Sequence, residues 1–597
     1  MSRTKYVQTW DLNTIYEGGS HSSVLKEELE NAEGQMPLLK KKISALDQEI
    51  RPGWLDRWHE TLEELQHLSN RLHEAASFIS CLFSQDMKDE KAQALRARIS
   101  QIEASYNSVM TILESKISQI PPASWEALIE DPRIQSISFT LQERRQRAME
   151  KLPPEQEELA NDLSVDGYVA WGHMYNNIVG RMQIPFEEKG KVTHLSVGQA
   201  ANKINHPDRA VRRQVFEKWE EAWKKEADLI AATLNHLAGY RLQLYKHRNW
   251  DNPLKEPLND NRMSEETLQA MWQAIEKEKH RLVPFIERKA KLLNVDKLSY
   301  YDVHAPLPGN NQAVTYDEAA DFIVEQFAKF NPDMAAFARQ AFEMRWIEAE
   351  DRPNKRPGGF CTSFPVSQQT RIFMTYSGTA SNVSTLAHEL GHAYHQHVMK
   401  DLPAFAQMYA MNVAETASTF AELIVSDAAI KQTATKEEKI ILLEEKLQSA
   451  ISFFMDIHSR FLFETRFYEK RKQGPLSANE LCQLMVEAQK EGYAESLAEY
   501  HPHFWASKLH FYNTQVPFYN FSYTFGFLFS TGIYDRALAE GPAFAKKYVD
   551  LLRDTASMTV EDLAFRHLGV DLTKPDFWEN AVRLALSDVD EFLSLTE

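Results

Sequence analysis

Leu386 to His395 read LAHELGHAYH, and inside that stretch His388-Glu389-Leu390-Gly391-His392 forms an HExxH pattern. On a helix, residues four apart lie one turn above each other on one face, so both imidazoles can reach a single ion. Glu389 is rotated by about 100° from His388, which sets its carboxylate beside such an ion rather than on it. The chain has 20 His among 597 residues, for which about 0.06 accidental matches are expected. The pattern is therefore suggestive, and its context has to carry the reading. Gly391 supplies part of that context, because glycine inside a helix costs about 1 kcal/mol relative to alanine. A close approach by a substrate or a second helix would account for it.

A catalytic zinc takes three protein ligands and keeps one position open. In the extended HExxHxxGxxH pattern, positions 395 and 398 would be Gly and His; they are His395 and Val398. That subclass is excluded, and a carboxylate on a later helix becomes the expectation. Asn412 to Asp427 (NVAETASTFAELIVSD) provides one, with Glu415 far enough beyond His392 for a turn and an antiparallel return. Glu415 is the expected third ligand. Ser418, Thr419 and Glu422 share its face, and Glu422 is the candidate to orient a ligand imidazole. His395 and His397 read as polar neighbours rather than ligands.

Working outward, residues 23 to 120 read as long amphipathic helices broken first at Pro52-Gly53. Leu55, Trp58, Leu62, Leu65 and Leu72 mark one face of the second helix. Leu95, Ile99, Ile102, Tyr106, Val109, Leu113 and Ile117 mark that of the third, which Pro121-Pro122 ends. Bundle length and aromatic insertions favour an antiparallel helical layer over a coiled coil. Helical patterns continue from about 155 to 245 and from 264 to 292, with Ser264 a helix start and 249 to 257 a loop. Ser477-Ala-Asn-Glu480 has capping-box spacing after Gly474-Pro475. Only Gly358 to Tyr376 breaks the helical pattern, and it reads as a short hairpin or edge-strand pair around Thr370 to Tyr376.

With 43% hydrophobic and 25% charged residues the chain has an ordinary globular composition. A net charge of -18 argues against a nucleic-acid partner. No apolar run is long enough to span a bilayer, and Met1 to Leu12 lacks the apolar core of a signal peptide, so no membrane association and a cytoplasmic location are expected. Cys81, Cys361 and Cys482 are too few and too scattered for a disulfide framework or a Cys-rich metal site. No internal repeat or low-complexity tract interrupts the chain.

These motifs resemble the thimet oligopeptidase family of zinc peptidases, in particular its bacterial oligoendopeptidase F branch. The matching stretches are Trp10 to Tyr16 (WDLNTIY), Gly358 to Ser363 (GGFCTS), Thr385 to His395 (TLAHELGHAYH), Val413 to Glu422 (VAETASTFAE) and Gly569 to Trp578 (GVDLTKPDFW). The resemblance implies a mainly α, two-lobed fold with a deep substrate channel and a small β hairpin or sheet beside the zinc helix. The expected division is 1–195 as an N-terminal helical lobe and 196–597 as the catalytic domain. It further implies an endopeptidase of peptide catabolism that cleaves short unstructured oligopeptides. In that family a late histidine and tyrosines stabilise the tetrahedral intermediate. The corresponding stretch, Lys508 to Gly526, offers His510 and Tyr523, with Tyr519 and Tyr512 as alternates.

The expected chemistry is one Zn²⁺ per chain on His388, His392 and Glu415, a zinc-activated water, and Glu389 as its base. A substrate could add as an extra strand beside Thr370 to Tyr376. A helical zinc carboxypeptidase would use a similar motif but needs a basic residue for the substrate's C-terminus. A non-catalytic peptide-binding protein would leave Glu389 without a purpose. The oligomeric state is not legible in the sequence.

Overall fold

The computed structural model describes residues 5–308 and 313–597. The first four residues of the Met1 to Leu12 opening lie outside the described residues. The chain is 70% helical and divides into two compact units, each assembled from three separated segments. One comprises Met1–Lys151, Asn311–Ala428 and Arg536–Gly569; the other comprises Leu152–Asn310, Ala429–Asp535 and Val570–Glu597. Among the described residues, strands are confined to two small sheets. The second unit holds a hairpin of β1 (Ile184–Glu188) and β2 (Lys191–Leu195), and the first holds β3 (Ile347–Glu348), β4 (Phe360–Phe364) and β5 (Gln369–Phe373) in the order β3-β5-β4.

In the first unit the expected helical layer is present as α1 (Ser23–Ser44), α2 (Trp54–Gln85) and α3 (Glu90–Ser118), which pack on one another. Gly53 starts α2 from a left-handed conformation at φ 73°, which explains why the break falls at Pro52-Gly53. Trp58, Leu62, Leu65 and Leu72 of α2 are buried, as are Ile99, Ile102, Val109, Leu113 and Ile117 of α3. The same core takes in Trp10, Leu12 and Tyr16, together with Phe364 and Phe373 of the sheet. Arg371, fully buried on β5, donates to the Asp11 carbonyl and to Thr14 Oγ1 at 2.8 and 2.7 Å. The WDLNTIY segment is thereby tied to the sheet.

Three sequence expectations are corrected here. The helical pattern from 155 to 245 is interrupted by β1 and β2, whose turn places Lys189 and Gly190 at positive φ. Residues 249 to 257 are not wholly loop, because a short helix, Lys255–Asp260, starts inside them. The hairpin in 358–376 is present as β4 and β5, but the strand around Thr370 is not an edge: β5 pairs in parallel with β3 and antiparallel with β4, so β3 and β4 are the edges of this sheet.

The second unit is built around the 39-residue helix Arg209–His247, which buries Val215, Trp219, Trp223, Ile230, Leu234 and Leu237 along one face. Ser264 caps the helix Glu265–Glu278 by accepting from the Thr267 N–H. Ser477 and Glu480 form the expected capping box on Ala478–Gly492.

Candidate metal centre

The helix Ala380–Met399 begins at a capping box between Thr379 and Asn382, which fixes the register of everything that follows on it. His388 and His392 stand one turn apart with ring centroids 4.9 Å from each other. After a turn the chain returns as the helix Met411–Gln432. The two helices meet at Gly391, where a Cβ would lie 2.4 Å from the Ala417 carbonyl oxygen and 2.6 Å from Ser418 Cα. No side chain fits there, so the glycine sets the helix spacing.

That spacing brings Glu415 to the histidines. Its Oε2 lies 3.2 Å from His388 Nε2 and 3.6 Å from His392 Nε2, and one donor atom from each residue falls within 4.8 Å of the others. Ser418 Oγ donates to the same carboxylate at 2.8 Å. Glu422 Oε2 sits 3.2 Å from His388 Nδ1, so the imidazole keeps Nε2 turned to Glu415. Among the described residues no other group of His, Cys, Asp or Glu has this arrangement.

The electrostatics favour a cation. Burial raises the Glu415 carboxyl, but the His388 hydrogen bond and the charges of both histidines outweigh it and hold the group down at about 2. Burial lowers His388, and the hydrogen bonds of Glu415 and Glu422 overcome it, lifting the imidazole to about 10. Burial depresses His392 to about 4, which keeps its nitrogen available as a neutral donor atom. Two imidazole nitrogens and one carboxylate oxygen are the donor set of a catalytic zinc.

Glu389 is 7% exposed, and its Oε2 has no hydrogen-bond partner. A buried carboxylate oxygen held without a partner is poised for a water or a substrate group. Burial pushes this carboxyl up to about 7. A Cβ on Gly359 would stand 3.3 Å from Glu389 Oε1 and 3.2 Å from the Phe373 carbonyl, so the backbone leading into β4 runs directly past the glutamate. The Gly358-Gly359 pair was the sequence signal for this approach.

His395 is fully buried, stacks on Tyr409 at 4.4 Å, and reaches the Leu552 carbonyl and Thr555 Oγ1 through Nε2. His397 packs against Phe337 at 4.5 Å. Both stand apart from the three-residue cluster.

The late candidates belong to the second unit. His510 lies on the turn Leu509–Tyr512, and Tyr523 lies in the first turn of the helix Phe521–Glu540. The ring of His510 is 4.9 Å from that of Tyr519 and 6.4 Å from that of Tyr523, and the Tyr523 hydroxyl donates to the Tyr519 hydroxyl at 3.3 Å. Tyr512 is different: it stacks on Tyr175 at 3.8 Å and donates to the Trp505 carbonyl, fully buried in packing. Sequence reasoning missed Asn520 and Arg460. Asn520 Oδ1 lies 2.7 Å from His510 Nδ1 and accepts from Arg460 Nη1 at 2.9 Å.

A helical chain with an HExxH helix, a returning glutamate and a buried carboxylate beside them has the arrangement of a metallopeptidase of the HExxH-plus-Glu class. The model of Peptidase family M3 matches residues 204–584, and that of Oligopeptidase F matches residues 116–184. The chain belongs to peptidase family M3 and is a metalloendopeptidase. An oligoendopeptidase F homolog of Lactococcus lactis subsp. lactis is 22% identical, with 99% of this chain and 97% of the relative covered. A solved chain from Chlamydophila abortus superposes with a TM-score of 0.86 at 19% identity, covering 98% of each. Oligoendopeptidase-F from Enterococcus faecium does so with a TM-score of 0.70 at 19% identity, covering 96% of this chain and 99% of that one.

Proposed function

We propose that the metal of this metalloendopeptidase is zinc, held by His388, His392 and Glu415, and that Glu389 is the general base of oligopeptide hydrolysis. The observation that carries this is the convergence of three donor atoms within 4.8 Å beside a buried, unpartnered carboxylate oxygen. A zinc ion bound there supplies Lewis acidity to the scissile carbonyl and to water.

The chain's own residues supply the rest. Glu389 takes a proton from water and passes it to the leaving amine, a role suited by a carboxyl raised towards neutrality. Glu422 holds the His388 ring in orientation, and Ser418 does the same for Glu415. The edge of β4 runs past Glu389 and offers backbone groups to an extended peptide, which favours broad side-chain tolerance. His510 and Tyr523 are proposed, on the family resemblance, to contact the reacting peptide as the tetrahedral intermediate forms.

The substrates are short unstructured peptides, and the setting is cytoplasmic peptide catabolism. Three free cysteines, and no described helix long and apolar enough to cross a membrane, support that setting. Digestion of a defined peptide mixture by zinc-loaded protein, read by mass spectrometry, tests the function. Internal cuts in peptides of about ten residues are expected; products trimmed only from one terminus would overturn it.

A further inference from the structure

The hydrogen bonds around His510 form a directed chain inside the second unit. Asp456 binds Arg460, Arg460 Nη1 donates to Asn520 Oδ1 at 2.9 Å, and His510 Nδ1 lies 2.7 Å from that same oxygen. A guanidinium has only donors, so it fixes the amide with its oxygen towards Arg460. The oxygen then faces His510 Nδ1 as an acceptor, and Nδ1 has to carry the hydrogen. Asn520 is 2% exposed, so no solvent competes for the bond.

We propose that Asn520, clamped by Arg460, is a positioning residue that holds neutral His510 in the Nδ1–H tautomer and leaves Nε2 as a bare acceptor. This rests on the reading that His510 takes part in the reaction, and it changes what that part is. A bare Nε2 cannot donate to a developing oxyanion. It accepts instead, and the groups an extended peptide offers an acceptor are its backbone N–H groups. Donation to the oxyanion then falls to a tyrosine hydroxyl, and Tyr519 and Tyr523 stand next to the ring.

Burial acts most strongly on the imidazole and lowers its pKa; the Asn520 hydrogen bond raises it, the charges of Arg460 and Lys508 lower it, Asp456 raises it, and the net shift is downward. His510 is therefore neutral at pH 7, the state in which the tautomer matters.

The test is ¹⁵N NMR of zinc-loaded protein carrying ¹⁵N-histidine, with the His510 signals assigned by their loss in His510→Gln. A protonated Nδ1 and a bare Nε2 at pH 8 are expected; a protonated Nε2 overturns the proposal. Asn520→Asp keeps the shape but adds a negative charge, and should raise the His510 pKa by about one unit or more. The pH dependence of kcat/KM should move with it. Asn520→Leu removes the acceptor and should populate the Nε2–H tautomer. Wild-type tautomer and titration in both variants would overturn the clamp. Wild-type turnover in His510→Gln would instead remove His510 from the reaction, a failure distinguishable because the tautomer is read without any assay of activity.

Discussion

A Cβ atom on Gly391 would stand 2.4 Å from the carbonyl oxygen of Ala417, so these two residues fix how closely the histidine helix and the Glu415 helix can pass. Ordinary contact would require the helices to part by about 1 Å, and a metal site tolerates only about 0.5 Å of misplacement. Gly391→Ala should keep its helix content yet bind zinc at least about tenfold more weakly. Chelator competition with circular dichroism as the folding control measures this. Wild-type zinc affinity in a folded Gly391→Ala would refute the spacing role.

Glu415 and Glu422 both touch His388 but through different nitrogens. Glu415→Ala removes a proposed ligand and should abolish stoichiometric zinc binding. Glu422→Ala only frees the ring and should weaken binding about tenfold to a hundredfold. Metal analysis of the two purified variants decides the order, and the reverse order would exchange their roles.

Much of this site was legible because its parts are local. His388, Glu389 and His392 fall within five consecutive residues of one helix, and Glu415 follows within a single return helix. Glu422 was readable from its seven-residue spacing to Glu415. What escaped depended on distant pairing or weak patterning. Strand β2 is exposed apart from Leu195, so it lacks the alternation that marks a half-buried strand. The central place of β5 depends on a two-residue strand more than twenty residues upstream. Arg460 reaches Asn520 across 60 residues, and no spacing rule joins them. The helical layers, by contrast, announced themselves through stripes and caps that each helix carries alone.

Glu464 gives a stability prediction. It is buried, accepts from the Phe518 N–H at 3.3 Å, and burial pushes its carboxyl up to about 8 despite the nearby Arg241 charge. An unfolded glutamate titrates near ~4.3. Between those values the folded state holds a proton that the unfolded state has released, so stability falls as pH rises through the window and levels off above it. Glu464→Gln does not titrate. Its thermal midpoint relative to wild type should rise between pH 5 and pH 8, by an amount on the order of a few kcal/mol of stability. A pH-independent difference would show that Glu464 is ionised in the fold.

Glu389→Gln keeps size and hydrogen bonding but cannot take a proton. Zinc content and peptide binding should persist while turnover falls by at least ~10²-fold. In the wild type the base works only when ionised, so kcat/KM should fall on the acid side of an apparent pKa at or below about 7, since a bound cation lowers the pKa of a neighbouring carboxyl. Full activity of Glu389→Gln in zinc-loaded protein would remove Glu389 from the mechanism.

The hydroxyls of Tyr519 and Tyr523 lie 3.3 Å apart, with Tyr523 donating. If both hydroxyls can reach the developing oxyanion, either can donate to it when the other is lost, because the remaining O–H no longer has its tyrosine partner. Tyr523→Phe and Tyr519→Phe should then each lower kcat modestly with little change in substrate affinity, since the interaction exists mainly in the transition state. The double variant should lose more than the product of the two single effects, towards the ~10²-fold or greater loss seen when an oxyanion donor is removed. Single-turnover rates at saturating peptide separate kcat from binding, and such a double-mutant cycle reads the coupling directly. Strictly multiplicative losses would mean that the hydroxyls act independently. Wild-type kcat in the double variant would return both tyrosines to packing and leave the oxyanion to another donor.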